Sequence, residues 1–474
     1  MVAAKLFGLA QPKVPIRLDE RATDAEAERP RRRSLELLNP SAPEKSTRGA
    51  SRGTMHTYRG CEVGSVVIRN AKSIITCAGT APKCGPDQAD VRAIAGGVVV
   101  AINGRMAFAG PTAEWDERSL SGEGFEEIDA TGCTVLPGFI DPHTHVVFGG
   151  DRRDELRRRL AGATYAEIAA SGGGILSTVR ATRAASEEDL IASTTERLDQ
   201  MLRCGTTTCE AKSGYGLDTD AELKMLRVIK RLDQQHAVDL VPTFMGAHEI
   251  PIEHRANRRF YIDQLVRQMI PAAARDGLAE WCDVFCEAGV YTPDEATEIL
   301  QAAKKHGLKA RIHADELEES GGSLVAAAVG ARSADHLLYV SPRGIHAMKQ
   351  AGVVATLLPI AAFYLKLGRY APARELIEAG VPVALATDLN PGGGFSPSMP
   401  FAMSLACFSM RMTLEEALVA STINAAYAID RHDLIGSLEV GKQADIVIVS
   451  GEAVDLLKVG VPAIRMVIKK GEIV

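Results

Sequence analysis

The chain is 474 residues long, 46% hydrophobic and 24% charged, with a formal net charge of −6, the proportions of a globular protein with room for one large domain and a smaller one. The negative balance argues against nucleic acid or anionic membrane as a main partner, and no apolar run approaches the roughly 20 residues a membrane helix requires. Nine cysteines scattered along the chain do not make the dense framework of a small secreted protein, so they read as reduced thiols and the compartment as cytoplasmic.

Residues 1–54 differ from the rest. They carry 11 Lys/Arg against 7 Asp/Glu, a balance of +4 that leaves −10 for the remainder, and include the run Arg29-Pro30-Arg31-Arg32-Arg33. With no sustained apolar period they read as a disordered extension without a catalytic role. Translation from Met55 is an equally good reading.

From about Gly64 the pattern changes to short β-branched runs, SVVIRNAKSIITC, GGVVVAINGRMAFAG and FEEIDATGCTVLPG, with Asn103-Gly104 as a hairpin turn. The C-terminal runs GSLEVGKQADIVIVS and AIRMVIKKGEIV have the same character. Neither end alone has enough strands for a stable sheet. The expectation is a small β-sandwich domain built from residues 64–137 plus 433–474.

Between them, residues 138–432 alternate strands with helices. The strand candidates are TVLPGFIDPH, TTTCEA, DLVPTFMGA, WCDVFCE, LKARIHA, RSADHL, GVVATLL and VPVALATD. Helical periods such as EEDLIASTTERLDQMLRCG and TPDEATEILQAAKKHG lie between them. Eight such units over roughly 250 residues predict an α/β fold of the (β/α)8 TIM-like barrel type. The absence of Gly-x-Gly-x-x-Gly after the first strand weakens a dinucleotide-binding sheet.

In such a barrel the active site lies at the C-terminal ends of the strands. There the sequence has His143 and His145, Lys212 to Tyr215, His248-Glu249, His313 to Glu316, Asp335-His336, and Asp388 followed by Asn390-Pro391-Gly392. In an extended segment residues i and i+2 face one side, so His143 and His145 can aim both rings at one point. Imidazole suits zinc and iron, and a catalytic site leaves one position for water. Alone, each histidine reads as an ordinary polar rim residue. Five of the chain's 11 histidines at strand ends do not read so blandly as a set.

The pattern of HTH on the first strand, His on the fifth and sixth, and Asp on the eighth resembles the amidohydrolase superfamily of metal-dependent hydrolases. FIDPHTHVVFGGDR, GGGILSTVRATR, EAKSGYGLD, FMGAHEIP, RIHADE, SADHL, TDLNPGG and GSLEVGKQADIVI resemble one branch of it, ring-opening cyclic amide hydrolases of histidine degradation, over about residues 64 to 474. The resemblance implies that His143, His145, His313 and Asp388 bind one divalent or trivalent metal ion per subunit, zinc or iron. Strand four ends in Cys286-Glu287 rather than in a bridging lysine, which favours a single ion. Lys212, after strand two, reads as structural or as a local charge.

The implied reaction is hydrolysis of the ring C–N amide of 4-imidazolone-5-propanoate to N-formimidoyl-L-glutamate by a metal-activated water. Glu316 would carry a proton from water to the leaving nitrogen, His336 would act as base or orient the carbonyl, and Asp388 would help relay the proton. Arg152 has the forked donors that suit the propionate. Tyr215, His248 and Glu316 would hydrogen-bond the substrate, with Asn390, Gly392 and Gly393 contacting it from their loop. A homodimer is also implied. An aminohydrolase acting on purines or pyrimidines would share the metal residues but have no carboxylate for Arg152, and a non-catalytic relative should lack a ligand.

Overall fold

The computed structural model describes residues 64–116, 124–163, 167–168 and 172–474. The extension expected over residues 1–54, and with it the question of Met55, lies outside the described residues. Two sheets organise the rest.

The first is a mixed sheet of eight strands with the order β16-β15-β14-β5-β1-β2-β3, and β4 paired to β1. β1 (Val66–Ile75), β2 (Ala93–Ile102), β3 (Arg105–Gly110), β4 (Glu126–Asp129) and β5 (Cys133–Pro137) come from the N-terminal side; β14 (Ile446–Ser450), β15 (Ile464–Lys469) and β16 (Glu472–Ile473) come from the C-terminus. The period of two along each strand sorts its side chains. Val66, Ile68 and Val99 enter one apolar cluster with Ile446 and Ile448, whereas Val67, Val98 and Val100 enter another, against Phe108 and Trp115. Asn103 and Gly104 make the β2–β3 turn with φ of +48° and +73°, values that suit the Asn-Gly pair of a tight hairpin.

The second sheet is wholly parallel and follows chain order. It runs β6 (Phe139–Asp141), β7 (Thr206–Lys212), β8 (Asp239–Ala247), β9 (Trp281–Cys286), β10 (Lys309–Ala314), β11 (Ser333–His336), β12 (Val354–Leu357) and β13 (Val383–Leu385). Helices Glu187–Arg203, Thr219–Gln235 and Pro293–Lys305 occupy the expected periods; the first starts at a Ser186/Asp189 capping box and the third at a Thr292/Glu295 one. Successive parallel strands joined by helices give the (β/α)8 barrel expected of this pattern.

The run TVLPGFIDPH, read as one strand, divides at Gly138. Its first half, β5, pairs with β14 and β1 of the mixed sheet, and its second half, β6, pairs with β7 of the barrel. A Cβ at Gly138 would meet the Thr207 side chain at 2.4 Å, so only glycine lets the chain turn there against β7.

No strand ladder joins β6 to β13. The seam is closed just beyond them: Asp388 N–H donates to the His143 carbonyl (3.1 Å) and His145 N–H to the Leu389 carbonyl (2.9 Å). Thr387 N–H donates to Asp141 Oδ1 at 3.0 Å. Closure and the strand-end polar residues therefore occupy the same place. Among the described residues eight cysteines are free, and no helix is long and apolar enough to cross a membrane.

Candidate active site

The strand ends bring the ligand nitrogens of His143, His145 and His313 within 4.8 Å of one another and set Asp388 beside two of them. His145 Nε2 and His313 Nε2 are 3.3 Å apart, and Asp388 Oδ1 lies 3.6 Å from Nε2 of both His143 and His145. The His143 and His313 ring centroids are 4.5 Å apart. All four residues are buried.

Two of the rings are aimed from behind. His143 Nδ1 lies 2.7 Å from Asp335 Oδ2 on β11, and His313 Nδ1 lies 3.0 Å from Asp283 Oδ1 on β9. A carboxylate accepts, so each Nδ1 carries the proton and each Nε2 turns a lone pair inward. Both carboxylates are themselves held by buried cations. Arg311 Nη2 donates to Asp335 (3.2 Å) and to the Pro142 carbonyl (2.6 Å); Lys212 Nζ donates to Asp283 Oδ2 and to Glu210 Oε1, both at 2.7 Å. Burial opposes the Lys212 charge, but Asp283 and Glu210 outweigh it and hold its pKa above the ordinary value.

This donor set fits one metal ion. His143 Nε2 and Asp388 Oδ1 are buried without a hydrogen-bond partner, a costly state unless something else meets them. Two ligand atoms about 2.0–2.1 Å from a tetrahedral ion stand about 3.3–3.4 Å apart, close to the separations found. Burial, followed by Lys212 for His143 and by the neighbouring imidazoles for His145, holds both pKa values well below the ordinary range. Both rings are therefore neutral and able to ligate. Burial and then Glu316 push the Asp388 carboxyl well above its usual range, a balance that a cation beside it reverses.

Glu316 and His336 complete this side. Burial, reinforced by Glu287, raises the Glu316 pKa to about 8, and its Oε1 lies 3.5 Å from His336 Nδ1. Glu287 Oε2 holds the loop that carries Glu316 by accepting from the N–H groups of Glu316 (2.8 Å) and Leu317 (2.9 Å). Burial keeps His336 neutral. Asp315, His336, Leu337 and Asp388 all have φ between +51° and +78°. Left-handed conformations at four non-glycine residues around one cluster are strain of the kind that collects at functional sites.

Facing the histidines lie Tyr215 and His248. The His248 ring stacks on His145 at 4.9 Å and lies 5.2 Å from the Tyr215 ring. His248 Nδ1 is 3.0 Å from the Gly214 carbonyl, and burial lowers its pKa to about 3. Arg152 stands nearby, with its Nε (2.8 Å) and Nη2 (2.7 Å) on Glu155 Oε2, while Glu155 Oε1 accepts from Gly174 N–H at 2.8 Å.

The Asn390 loop is arranged differently from the rest. Asn390 Oδ1 accepts from the N–H groups of Gly392 (2.8 Å) and Gly393 (2.6 Å), and its Nδ2 donates to the Asp388 carbonyl (2.8 Å). The side chain is thus spent inside its own loop. A Cβ at Gly392 would meet Arg152 Nη1 at 2.1 Å, whereas one at Gly393 would meet Leu365 at 3.1 Å, so Gly392 adjoins Arg152 and Gly393 turns away from it. The structure therefore gathers the expected His143, His145, His313, Asp388, Glu316, His336, Tyr215 and His248. It adds Asp283, Asp335, Glu155 and Glu287, which the sequence reading assigned no role. For Asp283 and Asp335 the available signal was a charge inside a buried strand, which has to be paired; Glu155, in the charged helix Arg153–Leu160, and Glu287, just past β9, carried no such mark.

The Amidohydrolase family model matches residues 134–474. The chain is 49% identical to the imidazolonepropionase of Shouchella clausii (strain KSM-K16) over 413 residues, 86% of this chain and 92% of that protein. It is 51% identical to the imidazolonepropionase of Geobacillus thermodenitrificans (strain NG80-2) over 414 residues, 86% of this chain and 97% of that protein. Among solved structures it is similar to E. coli guanine deaminase, with a TM-score of 0.65 and 15% identity over 87% of this chain and 99% of that one. An adenosine deaminase from Xanthomonas campestris with bound zinc gives a TM-score of 0.63 at 18% identity, over 87% of this chain and 93% of that one.

Proposed function

The chain belongs to the imidazolonepropionases of the amidohydrolase family, and from that membership we propose how its residues divide the reaction. The enzyme hydrolyses the ring C–N amide bond of 4-imidazolone-5-propanoate to N-formimidoyl-L-glutamate in histidine degradation. His143, His145, His313 and Asp388 would hold one ion, zinc or iron. What carries this reading is the convergence of their ligand atoms, with the outward nitrogens of His143 and His313 fixed on Asp335 and Asp283. Such an ion supplies a water of lowered pKa, about 7, and a Lewis acid for the ring carbonyl.

The proton traffic falls to Glu316. As a carboxylate it takes a proton from the attacking water, and as the acid it returns that proton to the ring nitrogen as the C–N bond breaks. A pKa of about 8 suits a group that must serve both turns near neutral pH. His336, neutral and next to Glu316, orients the carbonyl oxygen or shares the proton, and Asp388 relays while it ligates. His248 spends its Nδ1 proton on the Gly214 carbonyl, so its Nε2 accepts an N–H of the substrate ring. Tyr215 packs beside it and offers its hydroxyl.

Arg152 meets the propionate. Glu155 occupies its Nε side, which leaves the Nη1/Nη2 end for a carboxylate approaching in the plane of the guanidinium. Asn390 shapes the loop whose Gly392 adjoins Arg152 on the substrate side, with Gly393 turned the other way. We also propose a division into residues 64–137 plus 433–474 and residues 138–432, and a homodimer on the strength of the family resemblance. The free cysteines favour the cytoplasm.

The test follows ring absorbance during hydrolysis by metal-loaded protein, with chelator and with His143→Ala in parallel. Loss of both activity and bound metal in the variant is the expected result. Parent-level activity in a variant that holds no metal would overturn the ligand assignment.

A further inference from the structure

The GGGILSTVRATR motif ends in Arg183, which none of the steps above uses. Arg183 closes the helix Ile175–Ala184 and reaches the loop that follows β7. Its Nε donates to the Gly216 carbonyl (2.6 Å) and its Nη2 to the Leu217 carbonyl (3.0 Å). The same guanidinium lies 2.9 Å from Asp218 Oδ2 and 2.8 Å from Glu253 Oε1. Glu253 belongs to the short turn Ile252–Asn257, just after His248 on the loop that follows β8. One side chain therefore ties together the two loops that carry Tyr215 and His248.

The tie is anchored at both ends. From the other side, Glu222 Oε1 accepts from the N–H groups of Gly216 and Leu217, both at 2.8 Å, and Glu222 Oε2 accepts from Gly214 N–H at 3.0 Å. The carbonyls of this segment go to Arg183 and its amides to Glu222. Lys224, on the same helix as Glu222, donates to the carbonyls of Thr182, Arg183 and Ala185 at 3.0, 3.0 and 2.7 Å, which fixes the helix end from which Arg183 projects. Leu217 sits at φ +52°, so the segment is held in a turn that it would leave if released.

We propose that Arg183 is a positioning residue for substrate binding, clasping the Tyr215 loop to the His248 loop so that the phenol and the imidazole face the substrate at a set separation. The inference rests on the reading that Tyr215 and His248 meet the substrate. Arg183 touches neither the reacting atoms nor the metal ligands, so its loss acts on binding. At 29% side-chain exposure it can be replaced without opening a core cavity.

The experiment measures KM, kcat, bound metal and Tm for the metal-loaded parent, Arg183→Met, Arg183→Lys and Tyr215→Phe. Arg183→Met should raise KM about tenfold and change kcat by less than about threefold, with metal content unchanged. Arg183→Lys should recover part of the KM, since an ammonium can meet Glu253 or a carbonyl but lacks the fork to hold both loops. An unchanged KM in Arg183→Met overturns the inference. So does a parallel fall of kcat, metal content and Tm, which marks a general structural role. If Tyr215→Phe leaves KM untouched, the substrate-contact reading falls and takes the inference with it. If Tyr215→Phe raises KM and Arg183→Met does not, the inference alone falls.

Discussion

The two sides of the barrel mouth are built by different means. On one side, His143, His313 and Asp388 stand at or just past strand ends, and carboxylates inside neighbouring strands, themselves neutralised by Lys212 and Arg311, aim two of the imidazoles. On the other, Arg152, Tyr215 and His248 sit on loops or helix ends, held by Glu155, Glu222 and Arg183 from the flanking helices. Strands give fixed positions for atoms that have to converge. Loops supply a surface that has to admit a substrate and release a product.

The largest effect is expected on the strand side at Glu316, which stands 3.5 Å from His336. Glu316→Gln should lower kcat by about 10²- to 10⁴-fold while bound metal stays at the parent level, as read by metal analysis beside steady-state kinetics. The same variant has a pH signature. Glu316 has its pKa raised from an ordinary 4.5 to about 8 in the folded protein, so the folded state keeps a proton that the unfolded chain has released. Its contribution to stability is full below about pH 4.5 and is lost as pH rises through about 8. Metal-stripped Glu316→Gln should therefore lose less Tm than the stripped parent between about pH 5 and 9.

A smaller effect isolates the strand side. Asp335→Asn leaves the ligands in place but removes the carboxylate that orients His143. Metal affinity should fall about 10- to 100-fold in competition with a chelator, and KM at saturating metal should hardly move. On the loop side, Arg152→Met removes charge-assisted hydrogen bonds worth about 1.5–3 kcal/mol each, so KM should rise at least tenfold with metal content unchanged. If Asp335→Asn raised KM, or Arg152→Met shed metal, the two sides would be one unit.

Much of this was legible in the chain itself. The eight strands of the barrel and the capped helices between them follow from apolar period and cap residues. HTH was readable because residues one apart on an extended strand share a face. The partners Asp283 and Asp335 were not, because each meets its histidine from another strand, and register between strands is a property of the closed sheet. Arg311 sits opposite Asp283 in the β9–β10 register yet binds Asp335 on β11, a choice no local pattern encodes. Glu222 reads as one more charge on an amphipathic helix until the loop folds back onto it. The division of TVLPGFIDPH at Gly138 was hidden for a similar reason, since both halves have the same apolar character and only their partners differ.

The seam between β6 and β13 has a consequence for biosynthesis. Asp141 and Thr387, which bond across it, are 246 residues apart. At about 5–20 residues per second of synthesis, the growing chain displays its His-Thr-His for roughly ten to fifty seconds before Asp388 has been made. Only the closed ring presents the histidines and the carboxylate together, so the cluster belongs to the finished barrel and not to the nascent chain.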